Sequence, residues 1–474
     1  MKILYVASEA EPYAASGGLG DVMGALPKEI AEIEEGNDVS VILPFYNTVS
    51  ENLRCEFEKV CDITFSLSWR KTGASIYRHK RNNVNYYFVE NHYYFDRNRS
   101  YGEYDDGERF AFFSKATLEF ILARDMSPDI IHANDWQTAL TVIYLKTEYR
   151  SCEKLKNIKT VFTVHNIEYQ GKYGWGLLGD VFGIDAKFSN VLSHNGCINL
   201  LKGGILLSDC VTTVSPNYKN ELSHEFFAFG LADVIRSFSH KMSGIINGID
   251  YSVFSPDKNG DIYFPYDKAH VKSGKEKNKR ALQNELGLVA DDKIPILIMV
   301  TRLTEGKGID LFLHIADELL EEDVQIIVLG SGEEKYEKAL LALDGKYENF
   351  KAFTSFDRAL SKKLYAGADI FLMPSKSEPC GLAQMIACSY GTVPVVRSVG
   401  GLYDTIIPYG EDNANGFRFD NYNAHEFLFC IKDALEVYKV KIKWSALRRK
   451  TINSDFSWHK SALEYMAVYK KLIV

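Results

Sequence analysis

Cysteine is sparse and scattered in this chain. Cys55, Cys61, Cys152, Cys197, Cys210, Cys380, Cys388 and Cys430 form no C-x-x-C pair and no tight metal spacing. Among 474 residues they read as reduced thiols of a cytoplasmic protein, not as a disulfide framework, and no metal site or cofactor is expected. No apolar run approaches about 18 residues, so nothing predicts a membrane span. The opening MKILYVASEAEP ends in carboxylates and reads as a strand, not as a cleavable signal peptide. Basic residues are in the minority, 55 against 63 acidic, and the net charge of −8 argues against nucleic acid or an acidic membrane as partner. There is no short-period repeat, no G-x-S-x-G elbow, no G-x-x-x-x-G-K-[ST] loop and no H-E-x-x-H, which weighs against a serine hydrolase, a P-loop kinase and a zinc site.

What is present is a globular composition, 46% apolar and 25% charged, with aromatics high at 13%. Such aromatic content suits large cores and sites that stack on rings or sugars. The length is too great for one ordinary core and allows two large α/β domains. Apolar runs of strand length alternate with helical patterns, as in parallel sheets built from βαβ units. The first half predicts strands at 2–8, 38–43, 84–89, 128–133, 159–164, 209–214 and 243–247, with helices such as 21–35, 109–124 and 138–150. The second half restarts the alternation at 295–300, 324–330, 349–353, 369–374 and 393–396. The fold class is therefore α/β, with two doubly wound domains. Between the halves, the lysine-rich stretch 268–287 reads as a solvated linker running into a surface helix. The tail 457–474 predicts a helix that must dock, because its apolar residues recur at helical spacing.

Ligands of open α/β sheets bind outside the carboxyl ends of strands, and those ends are rich in polar residues here. In the first half they deliver Glu9 and the loop Ser16-Gly17-Gly18-Leu19-Gly20-Asp21, then Asp135, His165 with Asn166, and Asn247. In the second half they deliver Arg302 and Lys307, Gly330-Ser331-Gly332, and Ser375 through Glu378. Convergence on the same edges of two domains suggests a cleft between them. Paired glycines before a helix let backbone N–H groups approach an anion, although the spacing is not that of a dinucleotide fingerprint. Arg302 and Lys307 at a strand end suit a phosphate, one as a bidentate fork and the other as a movable point charge. Glu378 precedes Pro379 and Cys380, and Gly381-Leu382 is expected to open a helix whose free N–H groups hold the carboxylate ionised. Gly400-Gly401-Leu402 repeats the design as a second anion cradle.

Together these segments resemble the bacterial and plant glycogen/starch synthases. The matching motifs are KILYVASEAEP with SGGLGDV, HANDWQT (132–138), HNIEYQG (165–171), NLLKGGILLSDCVTTVSP (199–216), GIINGID (244–250), TRLTEGKG (301–308), SEPCGLAQ (377–384), VGGLYDTI (399–406), NGFRFDNYNA (415–424) and DFSWHKSA (455–462). The resemblance implies two Rossmann-like domains of GT-B architecture facing across a cleft. It divides the chain into 1–250 on the glucan acceptor side, 251–454 for the nucleotide-sugar donor, and a C-terminal helix, 455–474, returning to the first domain. It implies a retaining glucosyltransferase that moves glucose from ADP-glucose to the non-reducing 4-hydroxyl of an α-1,4-glucan without a cofactor; a homo-oligomer is compatible with it. By the same resemblance Glu378 contacts the donor glucose near the reacting carbon, and Arg302 with Lys307 holds the distal phosphate. Asp135 and His165 line the glucose side, Gly17, Gly18 and Asp21 approach the donor, Gly400, Gly401 and Leu402 form the diphosphate turn, and Phe356 packs against the adenine.

The sequence departs from the family pattern at four places. Ala15 stands where the glycine loop usually has lysine, Gln137 replaces the histidine of DWH, and Val399 replaces the threonine of TGGL. The stretch 226–235 also lacks an acidic residue after its Gly-Leu. Two other readings stay open on sequence: a GT-B glucosyltransferase with a different donor or acceptor, and a catalytically weak glucan-binding homologue.

Overall fold

The computed structural model describes all residues except 98, 259, 356 and 474. The chain divides into two compact units, Met1–Gly248 joined by the segment from Trp458 onwards, and Ile249–Ser457. Among the described residues the first unit carries a nine-stranded sheet. Its parallel part runs, from one edge, Met242–Gly244, Cys210–Thr213, Lys159–Val164, Ile130–Asn134, Lys2–Val6, Asp38–Pro44 and Val84–Glu90. Each of these answers to a predicted apolar run, as expected for parallel strands covered on both faces. Two further strands, Arg70–Arg81 and Glu58–Leu67, extend the edge as an antiparallel hairpin that the apolar-run pattern does not predict.

The last helix, Trp458–Ile473, belongs to this first unit. Trp458, Ala462, Tyr465, Met466 and Tyr469 enter one core with Tyr5, Met23, Leu26 and Ile30. Its seat is polar as well as apolar. Tyr469 Oη lies 2.8 Å from Tyr5 Oη and 2.7 Å from His132 Nδ1, so the helix is hydrogen-bonded to two central strands.

The second unit is a six-stranded parallel sheet in the order Phe350–Phe353, Gln325–Leu329, Ile296–Val300, Ile370–Met373, Val393–Arg397 and Phe417–Phe419. Numbered along the chain this is 3-2-1-4-5-6, the doubly wound order, and the parallel strands of the first unit follow the same pattern with one more strand added. The lysine-rich stretch does run into a helix, as expected, but that helix is not a purely surface one. It is Val271–Glu285, with Val271, Gly274, Lys275, Asn278, Lys279 and Leu282 on a buried face. No helix among the described residues is long and apolar enough to cross a membrane.

Candidate active site

In a doubly wound sheet the ligand crevice lies beyond the carboxyl ends of the two strands where the order reverses. In the second unit these are Ile296–Val300 and Ile370–Met373, and the loops that follow them carry Arg302, Lys307 and Glu378. The Glu378 carboxylate is 7% exposed. Its Oε2 accepts from Lys307 Nζ at 2.6 Å and from Ser375 Oγ at 3.2 Å. Glu305 and Asp310, the other carboxylates near the lysine in sequence, are engaged elsewhere, with Lys376 at 2.7 Å and Tyr422 Oη at 2.5 Å. Arg302 is exposed, and its guanidinium has no hydrogen bond or ion pair among the described residues. A held carboxylate–ammonium pair, with an uncommitted guanidinium on the same post-strand loop as the lysine, is a place where negative charge can be received.

Close backbone packing locks these loops together. An added Cβ on Gly308, at φ +73°, would lie 2.2 Å from the Pro374 carbonyl oxygen, and Lys376 N donates to Gly306 O at 3.0 Å. A Cβ on Gly400, at φ +46°, would lie 1.9 Å from Glu378 O. Glycine alone permits both the left-handed backbone and this approach.

Two expectations need correcting here. The helix after Glu378 is Ala383–Ser389, capped at Leu382, so it begins too late for its N–H groups to hold the carboxylate; Lys307 and Ser375 do so instead. Gly400-Gly401-Leu402 is not a cradle of free donors either. Gly401 N is bonded to Glu378 O at 3.1 Å, Leu402 N to Val399 O at 3.0 Å, and the Leu402 side chain is fully buried. That turn supports the Glu378 loop. Cys380 is buried within the loop, and Gly381 turns it at φ +74°. Phe356 lies outside the described residues.

The reversal in the first unit falls between Lys2–Val6 and Ile130–Asn134. The strand Lys2–Val6 leads to Glu9, a residue legible in the sequence only as a polar group at a strand end. Glu9 is 1% exposed and accepts from Ser16 N at 3.1 Å, Gly17 N at 3.2 Å and the Ser16 hydroxyl. The protein's own carboxylate thus takes Gly17 N, one of the two glycine amides expected to receive a ligand anion, together with Ser16 N. The helix Gly18–Ile33 starts directly behind, with Gly18 exposed and Asp21 in its first turn.

Asp135, at the end of Ile130–Asn134, adopts φ 59° and ψ 178°, a backbone region costly for a residue with a side chain. The strain sets its carboxylate against the next loop, where Oδ1 accepts from His165 N at 2.7 Å. Burial pushes the Asp135 carboxyl up to about 7 against the pull of those amides. Burial also pushes the His165 imidazole down to about 3, so the ring is neutral near pH 7. Asn134 Nδ2 donates to the carbonyls of Val6 and His132, both at 3.2 Å, so its Oδ1 faces His165 Nε2 at 2.9 Å. The His165 proton therefore sits on Nε2, and Nδ1 carries the lone pair. Asn166 is turned back on its own loop, accepting from Glu168 N at 3.0 Å. Asn247 Oδ1 and Gln137 Oε1 are buried with no hydrogen-bond partner among the described residues.

These shifts fix the acid response of the first unit. The folded unit excludes protons from His132 and His165, both held near 3 against an ordinary 6.5, so their contribution is full above pH 6.5 and lost on acidification. Asp135 works oppositely: raised from 3.8 to about 7, its contribution is full below 3.8 and lost as pH rises. Two histidines outweigh one aspartate, so the unit should lose stability between about pH 6.5 and 4. Removing the opposing group with Asp135→Asn should steepen that loss. Hydrogen exchange of the Ile130–Asn134 and Lys159–Val164 amides, corrected for the intrinsic rate at each pH, checks it in the first unit, and an unchanged slope in the variant counts against the assignment.

Two doubly wound α/β units, each with a polar cluster where its strand order reverses, are the architecture of a GT-B glycosyltransferase, and the family models and solved neighbours assign that class. The starch synthase catalytic domain model matches residues 2–237, and the glycosyl transferases group 1 model matches residues 283–451. The chain is 43% identical over 480 residues to a glycogen synthase of Bacillus cereus (strain ATCC 10987), with all of both chains covered. It is 45% identical over 478 residues to one of Clostridium botulinum (strain Eklund 17B), covering 100% of this chain and 99% of that one. The solved catalytic domain of starch synthase IV from Arabidopsis thaliana, bound to ADP and acarbose, is 32% identical with a TM-score of 0.91 over 99% of each chain. A sucrose-phosphate synthase from Thermosynechococcus elongatus, 17% identical with a TM-score of 0.62 over 99% of this chain and 98% of that one, shares the fold. The chain belongs to the glycogen and starch synthase family.

Proposed function

We propose that this enzyme transfers glucose from ADP-glucose to the non-reducing 4-hydroxyl of an α-1,4-glucan, with retention of configuration, in the cytoplasm. The observation that carries the reading is the Lys307–Glu378 pair, with the uncommitted Arg302 on the same loop as the lysine, at the strand-order reversal of the second unit. Bond breaking places positive charge on the sugar and negative charge on the departing diphosphate. Fixed cations at the phosphate and a fixed carboxylate at the sugar stabilise both without reorganising. In this reading Arg302 and Lys307 receive the diphosphate, Glu378 faces the glucose, and the 251–454 segment serves the donor. Segment 1–250 serves the acceptor, with His165, Asp135, Asn166 and Asn247 along the sugar path, while its glycine loop with Asp21 approaches the donor. Double displacement would need a free carboxylate nucleophile about 5 Å from its partner group. Glu378 is committed to Lys307 and Ser375, which favours front-face attack with the leaving phosphate as base. The named relatives, glycogen synthases and a starch synthase solved with ADP and acarbose, support the same donor and acceptor. Incorporation of labelled glucose into glycogen from ADP-glucose, against UDP-glucose, tests the proposal; incorporation from UDP-glucose alone, or none, rejects it.

The missing loop lysine gives a further check. Ala15 is exposed, so a lysine there displaces no packing. Ala15→Lys should lower the KM for ADP-glucose, since a charge-assisted bond to phosphate is worth about 1.5–3 kcal/mol. Its effect on kcat should be smaller, because such a bond serves ground and transition states alike. An unchanged or raised KM sinks this.

A further inference from the structure

A cavity of about 410 Å³ lies in the second unit where the helix Val271–Glu285 meets the helix Lys441–Asn453. Lys268, Lys272, Arg448 and Arg449 line it together with Ser445 and Asn453, and no carboxylate is among the described lining residues. Elsewhere on the same unit, surface lysines such as Lys335, Lys338, Lys363 and Lys432 have a carboxylate at hand, in Glu333, Glu334, Glu285 and Glu318. Lys268, Lys272 and Arg449 have no ion pair among the described residues. Asp267, next in sequence, is taken by His270 at 2.7 Å.

Arg448 links the cavity to a buried cluster rich in basic groups. Arg448 Nη2 and Lys279 Nζ share the single buried carboxylate of Asp369, at 2.6 and 2.8 Å. Lys275, also buried, donates only to neutral oxygens, Tyr365 O at 2.8 Å and Thr392 Oγ1 at 2.6 Å. Three buried basic side chains thus face one carboxylate. Burial, then the charge of Arg448, push the Lys275 ammonium well below its ordinary value, partly countered by Asp369. Lys279 and Arg448 share one carboxylate between them, so Arg448 is not fully neutralised, and the cavity's size falls within the range of small-molecule sites, about 300–1,000 Å³.

We propose that this cavity is a binding site for a small phosphate-bearing anion, held by Lys268, Lys272 and Arg449. A phosphate group offers several oxygens to three convergent cations, matching the arginine fork and the lysine point charges together. The site uses none of the residues assigned to glucosyl transfer.

Calorimetric titration of the full chain with inorganic pyrophosphate and, separately, glycerol 3-phosphate, at matched ionic strength, tests it. The two probes separate a free diphosphate from an organic phosphate monoester as the source of the group. Because Arg302 and Lys307 also attract phosphate, four proteins are compared: wild type, Lys272→Ala/Arg449→Ala, Arg302→Ala/Lys307→Ala, and the combination. The altered cavity residues are exposed, so folding is expected to persist, and a thermal melt confirms it. The expected result is a binding event that survives Arg302→Ala/Lys307→Ala and weakens about tenfold or more in Lys272→Ala/Arg449→Ala, through loss of two charge-assisted contacts. Binding of neither probe, or binding lost only with Arg302 and Lys307, overturns the proposal.

Discussion

Glu378→Gln should leave the fold intact and lower kcat for glucosyl transfer by about 10²–10³, the usual cost of removing one preorganised charge-stabilising group. Glutamine keeps the shape of the side chain and can still accept at one oxygen, so Ser375 and the Gly400 turn need not move. What disappears is the negative charge whose Oε2 lies 2.6 Å from Lys307 Nζ. Lys307→Ala should cost a similar factor by removing the cation and freeing the carboxylate. The double variant should lose less than the product of the two, because both act on one charge-separated transition state and touch each other. If Glu378 only braced its loop, Glu378→Gln would lower the melting temperature while kcat stayed near wild type. Steady-state kinetics with a thermal melt on the same three variants separate the two roles, and full multiplicativity would mean that the pair does not act as a unit.

The sequence discloses the parallel strands because they are buried on both faces and therefore appear as unbroken apolar runs. The hairpin Glu58–Leu67 and Arg70–Arg81 escapes that signal. It lies at a sheet edge, and residues such as Lys59, Asp62, Lys71 and Arg78 alternate with its apolar ones. Phe417–Phe419 is too short to stand out as a strand. Arg302, Lys307 and Glu378 were legible as polar residues at strand ends, but their pairing was not. It depends on Gly308 and Gly400 packing against carbonyl oxygens of a loop distant in sequence. Glu9 was legible as a polar residue at a strand end, but its role was not: a glycine pair before a helix implies free amides, and nothing local says that a carboxylate seven and eight residues earlier has taken Ser16 N and Gly17 N.

The lysine-rich helix shows the same limit most sharply, and it yields the largest expected effect on stability. Counting lysines over 268–287 suggests a solvated surface, yet Lys279 is buried and its partner, Asp369, comes from 90 residues further along. Asp369 stands just ahead of the strand Ile370–Met373, is 3% exposed, and also accepts from Ile296 N at 3.1 Å. Burial alone would raise its carboxyl, but Lys279 and Arg448 hold it below the ordinary carboxylate range. Asp369→Ala would leave Lys279 and Arg448 buried and uncompensated beside Lys275. Removing one partner of a buried pair costs about 3–5 kcal/mol. Asp369→Asn keeps an acceptor for Ile296 N but not the charge, so it should recover only part of that loss. Lys279→Met, added to Asp369→Ala, should recover more by removing one stranded cation. Because the chain has two units, a single global transition is a poor reporter. Hydrogen exchange of the Ile296–Val300 and Ile370–Met373 amides reads this sheet directly. Protection in Asp369→Ala equal to wild type would show that the cluster is not what holds the strand-order reversal of the second unit together.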